Sequence, residues 1–185
     1  MKILLKTIII ILIIIPLFFG GIILFTNSEI KYIEKIEIDQ SVYIVDEFFS
    51  DIQNMKKYMP GTKEIILTGG EDGEVGAEYK IVWEMGEASM EMKAFLQHSN
   101  LPDSITYIYT ATGVVNTMTQ KHKKINEQKT LIINEQEFQF HGIMKILTFL
   151  NINGFKIEDF KKQSQLYLKN FKEVIQEETQ NVKNV

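Results

Sequence analysis

The chain has 185 residues and a net charge of −4, with no cysteine and every basic residue a lysine. Without cysteine, disulfides, thiolate metal sites, a thiol nucleophile and a lipidated cysteine are excluded. Without arginine and with an acid excess, nucleic-acid binding lacks the positive face it needs.

Residues Thr7 to Phe25 form an uncharged run preceded by Lys2 and Lys6. A helix of that length approaches the roughly 30 Å hydrocarbon core of a bilayer. The run outlasts the apolar core of a signal peptide, continuing past Gly20-Gly21, and no small-residue cleavage site follows. It reads as an uncleaved, single-pass transmembrane anchor over residues 1–28, kinked at Pro16. Lys2 and Lys6 place the amino end inside and the rest on the extracytoplasmic side, a bias that Lys31 and Lys35 oppose. With Lys2 and Lys6 set aside, eighteen lysines face twenty-four acids. Residues 29–180 have the size of one domain, and 181–185 are expected to form a disordered tail.

Lys31 to Gln40 reads as a strand in which Ile33, Ile36 and Ile38 stand among charges. Val45, Phe48, Phe49 and Ile52 then fall on one helical face behind a Ser41 cap, with Asp46 and Glu47 near the positive end. A short turn with Met55 and Tyr58 stops at Pro60-Gly61. From Thr62 to about Gln139 the period changes to strands at Glu64–Thr68, Ala77–Met85, Ser89–His98, Ile105–Thr112, Val114–Asn126 and Thr130–Phe140. They are joined by the Gly69–Gly73 hairpin connection, a tight Gly86-Glu87 turn, the Asn100–Asp103 break and the Gly113 bend. Consecutive strands with short loops predict an antiparallel meander.

The alternation puts Tyr79, Ile81, Trp83 and Met85 on one face and Glu78, Lys80 and Glu84 on the other. Met90, Met92, Ala94 and Leu96, then Ile105, Tyr107, Tyr109 and Ala111, extend the apolar face. A sheet with one dry face needs a cover. Ile157, Phe160, Tyr167, Leu168, Phe171 and Ile175 recur at helical spacing and supply it, after a shorter helix at Ile143–Leu150 and a break at Asn151–Gly154.

This order resembles the START-related SRPBCC superfamily, also called the polyketide cyclase/dehydrase and lipid-transport family. Local residues agree over roughly Lys31 to Glu178. Val45 to Asp51, then Asn54, Tyr58, Pro60 and Gly61, look like the family's opening helices, often V-x-x-x-L-x-D-x-x-x-x-x-x-W-x-P-G, with Tyr58 where Trp is commoner. Gly73-Glu74-Val75-Gly76 before Tyr79 looks like its G-x-V-G turn. The resemblance implies an α+β helix-grip fold: a curved antiparallel sheet wrapped around a long C-terminal helix, with an apolar cavity between them. It implies a lipid or other apolar small molecule as partner, and no cofactor.

The candidate pocket wall is Tyr79, Trp83, Met85, Met90, Met92, Tyr107, Tyr109, Phe160 and Tyr167, because methionine adapts to irregular shapes and Tyr and Trp put a polar tip on an apolar body. The same residues would also suit a filled core. No catalytic or metal-binding residue stands out. His98, His122 and His141 have no partner at ligand spacing and are expected at surface or strand-edge positions. Lys121-His122-Lys123-Lys124 reads as a solvated rim. No nucleophile elbow, zinc helix or P-loop is present. Glu84 and Glu91 fall on the charged face, which leaves Tyr107 and Tyr109 as the best-placed proton donors. The leading expectation is a membrane-tethered, noncatalytic binding domain for a hydrophobic small molecule or lipid. The alternatives are a cyclase/dehydratase-type enzyme using the same cavity and a protein-interaction module with a filled core.

Overall fold

The computed structural model describes residues 2–25, 29–85, 88–152 and 154–183. An amino-terminal helix α1 (Lys2–Phe25) precedes strand β1 (Glu29–Ile38), helix α2 (Val42–Ser50), a 3-10 turn (Ile52–Asn54) and helix α3 (Met55–Tyr58). Six strands follow: β2 (Thr62–Gly69), β3 (Glu78–Met85), β4 (Ala88–Asn100), β5 (Ser104–Ala111), β6 (Val114–Asn126) and β7 (Lys129–Phe140). Helices α4 (Ile143–Phe149) and α5 (Ile157–Lys183) complete the chain.

The strands form one antiparallel sheet in the order β1-β7-β6-β5-β4-β3-β2. The meander β2 to β7 follows from its short polar turns, and β1 closes it by pairing with β7 from Glu29↔Gln139 to Ile38↔Thr130. Register irregularities in β2, β4 and β6 bend the sheet, as an extra residue on one strand does. The expected α+β architecture is present, with strand limits within two residues of those read from alternation. The Gly86-Glu87 turn and residues 184–185 lie outside the described residues.

Each face is set by parity. On the outer face, Lys80 pairs with Glu91 at 2.6 Å and Lys121 with Glu135 at 2.7 Å. These exposed pairs contribute little to stability. The inner face buries Tyr79, Ile81, Ala94, Leu96, Ile105, Tyr107, Met118 and Ile132 against α2, α3 and the later turns of α5. Val45, Phe48, Phe49 and Ile52 are all buried, the helical face expected. Ser41 caps α2, its Oγ accepting from the Ile44 amide.

Two glycines permit close approaches. Gly61, at φ +94°, lies where a Cβ would stand 2.6 Å from Trp83 Nε1 and from the Glu84 carbonyl. Gly113, at φ +74°, lets the β5–β6 turn meet α4, where a Cβ would stand 2.8 Å from Met144 Cγ.

The transmembrane helix expected over residues 1–28 is not established. Helix α1 is present and touches α4, but its side chains are described only for residues 6–21, about 24 Å of helix at 1.5 Å per residue. Among the described residues, no helix is long and apolar enough to cross a membrane.

Candidate functional site

Helix α5 is held to the sheet at two places. At its start, Phe160 packs on Phe138 and Phe140, with ring centroids 4.7 and 5.5 Å apart. Tyr32 of β1 donates to the Phe160 carbonyl at 3.0 Å and shares a 2.8 Å hydrogen bond with Ser164 Oγ. Three turns later Phe171 inserts among Tyr58, Phe48 and Phe49 at 5.1, 5.3 and 5.9 Å. There Asn170 Nδ2 donates to the Tyr58 carbonyl.

Beneath the helix lies a cavity of about 540 Å³, within the range of small-molecule sites. Trp83, Met90, Met92 and Tyr109 form its wall on β3, β4 and β5, and Phe49, Met55, Tyr58 and Met59 close it on the α2–α3 side. Phe160, Tyr167, Leu168 and Phe171 form the roof.

Six of the nine pocket candidates line this space: Trp83, Met90, Met92, Tyr109, Phe160 and Tyr167. The Trp83 indole is fixed by donating to the Pro60 carbonyl at 2.8 Å. Tyr167 accepts from Gln163 Nε2 at 2.6 Å. Tyr79 and Tyr107 belong to the solid core, which corrects the expectation for both. The Tyr79 hydroxyl is drawn to the β2–β3 loop, donating to Asp72 Oδ1 and accepting from the Gly73 amide, both at 2.8 Å. Tyr107 is 2% exposed and its buried hydroxyl has no hydrogen-bond partner among the described residues. The Met85 side chain lies outside the described residues.

A second correction concerns His122. Its side chain is fully buried, packed edge-on against Phe49 at 5.5 Å. Its parity matches Met118 and Gln120 on the inner face, while Lys121 and Lys123 take the outer one. Four lysine and histidine residues in a row read as uniformly solvated, and the alternation within the run was the available signal. His122 Nδ1 bonds Asp46 Oδ1 of α2, and its Nε2 is 2.9 Å from Gln120 Nε2.

From Gln120 a ladder of carboxamides crosses β6 and β7. Asn134 Nδ2 donates to Gln120 Oε1 at 3.2 Å, Gln136 Nε2 to Asn134 Oδ1 at 2.6 Å, and Asn116 Nδ2 to Gln136 Oε1 at 2.8 Å. All four amides line the cavity, and the Asn116 Oδ1 at the end is buried without a partner among the described residues. Sequence reasoning missed these residues, because polar side chains at inner-face positions look like a solvated strand.

The titratable groups among the described lining residues are tyrosines. Burial pushes the Tyr32 phenol up to about 12 and raises Tyr58, Tyr109 and Tyr167 in the same direction. All four are protonated donors at neutral pH. Among the described residues no cluster of His, Asp and Glu could hold a metal ion.

No protein-family model matches the sequence, and no curated protein matches it. Solved structures do match in fold. The ZhuI aromatase/cyclase of Streptomyces sp. R1128 aligns with a TM-score of 0.67 at 10% identity over 80% of this chain and 94% of its own. Ginseng major latex-like protein 151 from Panax ginseng aligns at 0.61 and 12% identity, covering 78% and 96%. Norcoclaurine synthase from Thalictrum flavum, in complex with dopamine and hydroxybenzaldehyde, aligns at 0.57 and 15% identity, covering 81% and 89%. At such identities the likeness is one of fold. It defines the class of fold as helix-grip.

Proposed function

We propose that the protein binds a hydrophobic small molecule or lipid in the cavity between the sheet and α5. The observation that carries this reading is the cavity of about 540 Å³ walled by Trp83, Met90, Met92, Tyr109, Phe160 and Tyr167. Burying apolar ligand surface there would release about 25 cal/mol per Å². The norcoclaurine synthase structure that shares the fold was solved with two small aromatic molecules, which supports a guest of that size.

A noncatalytic role is the reading adopted. The phenols that line the cavity are protonated near neutral pH and offer a ligand hydrogen-bond donors.

We further infer that residues 1–28 tether the domain to a membrane, with residues 29–180 as the binding unit. The support is the uncharged run from Thr7 to Phe25 behind Lys2 and Lys6, together with the exposure of its apolar side chains from Ile8 to Leu17. A tether would hold the cavity beside membrane-derived ligands.

The test is recovery of the bound molecule. The full chain, purified in amphipol, is analysed by native mass spectrometry and by organic extraction. An apolar small molecule at near-equal stoichiometry is the expected result. Repeated recovery of empty protein that also fails to bind anilinonaphthalene sulfonate would overturn the reading.

A further inference from the structure

The amide ladder has a direction, and that direction specifies the ligand's polar group. The Asp46 carboxylate can only accept, so His122 Nδ1 donates to it. The pairing of His122 Nε2 with Gln120 Nε2 at 2.9 Å is then an amide N–H donating to the ring nitrogen. Gln120 must therefore turn its oxygen to Asn134, Asn134 its oxygen to Gln136, and Gln136 its oxygen to Asn116, as the three remaining bonds show. Every amide points its N–H toward the histidine. The oxygen left over at the far end is Asn116 Oδ1, buried and without a partner among the described residues, on a side chain of the cavity wall.

We propose that this terminus is a recognition site for a hydrogen-bond donor, so that the ligand is an apolar or aromatic molecule bearing a hydroxyl or N–H group seated against Asn116. The proposal rests on the reading of the cavity as a ligand site. A buried acceptor without a partner is costly, and a ligand donor relieves that cost. Asn116 Oδ1 is covered in the empty chamber, so the ligand's donor reaches it as the side chains around it shift, with the Asn116–Gln136 bond kept. Asp46 acts as a positioning residue, since it sets the sense of all four amides without touching the ligand.

Three probes of one ring system separate the terms: naphthalene, naphthol and methoxynaphthalene, titrated calorimetrically into the full chain in amphipol, with amphipol alone as reference. The ether is the more apolar of the two oxygenated probes, so hydrophobicity alone favours it over naphthol. The expected result is naphthol binding about tenfold tighter than methoxynaphthalene, in line with the cost of an unmade buried hydrogen bond. In Asn116→Leu the preference should vanish while naphthalene affinity is kept, which also shows that the variant folds. In Asp46→Asn the preference should narrow, because an asparagine can donate to or accept from His122 and frees the ladder to reverse. Equal binding of the two oxygenated probes by the wild type, or preference for the ether, would overturn the donor site and leave the cavity reading standing. Failure of all three probes to bind would overturn the cavity reading itself.

Discussion

Phe171 is the side chain on which the helix-grip arrangement is best tested. It is 2% exposed and meets three rings from α2 and α3, two at interplanar angles of 83° and one at 63°. Truncating a buried phenylalanine costs about 3–5 kcal/mol. Edge-to-face pairs add about 0.5–1.5 kcal/mol each beyond area, which places Phe171→Ala toward the top of that range, at about 4–5 kcal/mol. For a domain of this size each kcal/mol lowers the melting temperature by roughly 2–4 °C, so a fall of about 8–20 °C is expected. Trp83, the single tryptophan, stands in the cavity wall and reports the transition by its fluorescence. Leu166→Ala, at an exposed position one turn earlier on the same helix, is the control and should change stability by less than about 0.5 kcal/mol. A loss in Phe171→Ala below about 1.5 kcal/mol, or one matching the control, would show that α5 is not gripped through this residue.

Further outcomes follow from the same contacts. A double-mutant cycle between Asp46→Ala and His122→Ala should give a coupling of about 1.5–3 kcal/mol, the range for a hydrogen bond to a charged group, and an additive cycle would refute the pairing. Gly61→Ala should destabilise by about 2–3 kcal/mol through its positive φ and the Trp83 collision, with a shifted Trp83 emission; an unchanged melt would refute the close approach. Tyr107→Phe should be neutral or stabilising by about 1 kcal/mol, because it removes a buried hydroxyl without a partner among the described residues, whereas a clear loss would reveal one. Alkaline stability follows from the phenols. Burial raises Tyr32 from 10.0 to about 12 and moves Tyr58, Tyr107 and Tyr109 the same way. The folded state thus keeps protons that the unfolded chain has lost, so their stabilisation is complete below pH 10 and falls as pH rises toward 12. Tyrosinate absorbance should appear together with loss of the Trp83 signal; ionisation of these buried phenols near pH 10 with the fold intact would contradict it.

The meander and its helical cover were legible because period-two and period-3.6 patterns are local. Tyr79, Ile81 and Trp83 against Glu78, Lys80 and Glu84 identify a face without any tertiary information. Parity cannot say which inner residues meet solid core and which meet space. Tyr107 and Tyr109 share a strand and a face and stack at 5.8 Å, yet only Tyr109 lines the cavity. The difference depends on what α5 places opposite each, a long-range fact. The carboxamides were hidden for another reason. Polarity at Asn116, Gln120, Asn134 and Gln136 was a local cue for water, and only cross-strand register turns it into a mutually satisfied network.

The survival of the cavity follows from where α5 is fastened. Its 27 residues span about 40 Å, and its apolar anchors fall in two groups that belong to separate buried clusters. Ile157 and Phe160 pack with Ile30, Tyr32 and Phe140, while Leu168, Phe171 and Ile175 join the main core. Between them lie Gln163, Ser164 and Tyr167, which are too polar or too hydrogen-bonded to sink onto the sheet. A helix pinned at two points and polar between them bridges the concave face instead of filling it. Replacing Ser164 by leucine should therefore extend the apolar roof into the chamber and remove the Tyr32 hydroxyl's side-chain partner. Weaker naphthalene binding with a melting temperature held or raised is the expected pairing, since filling space in an apolar interior stabilises. Undiminished naphthalene affinity would mean that the guest sits elsewhere.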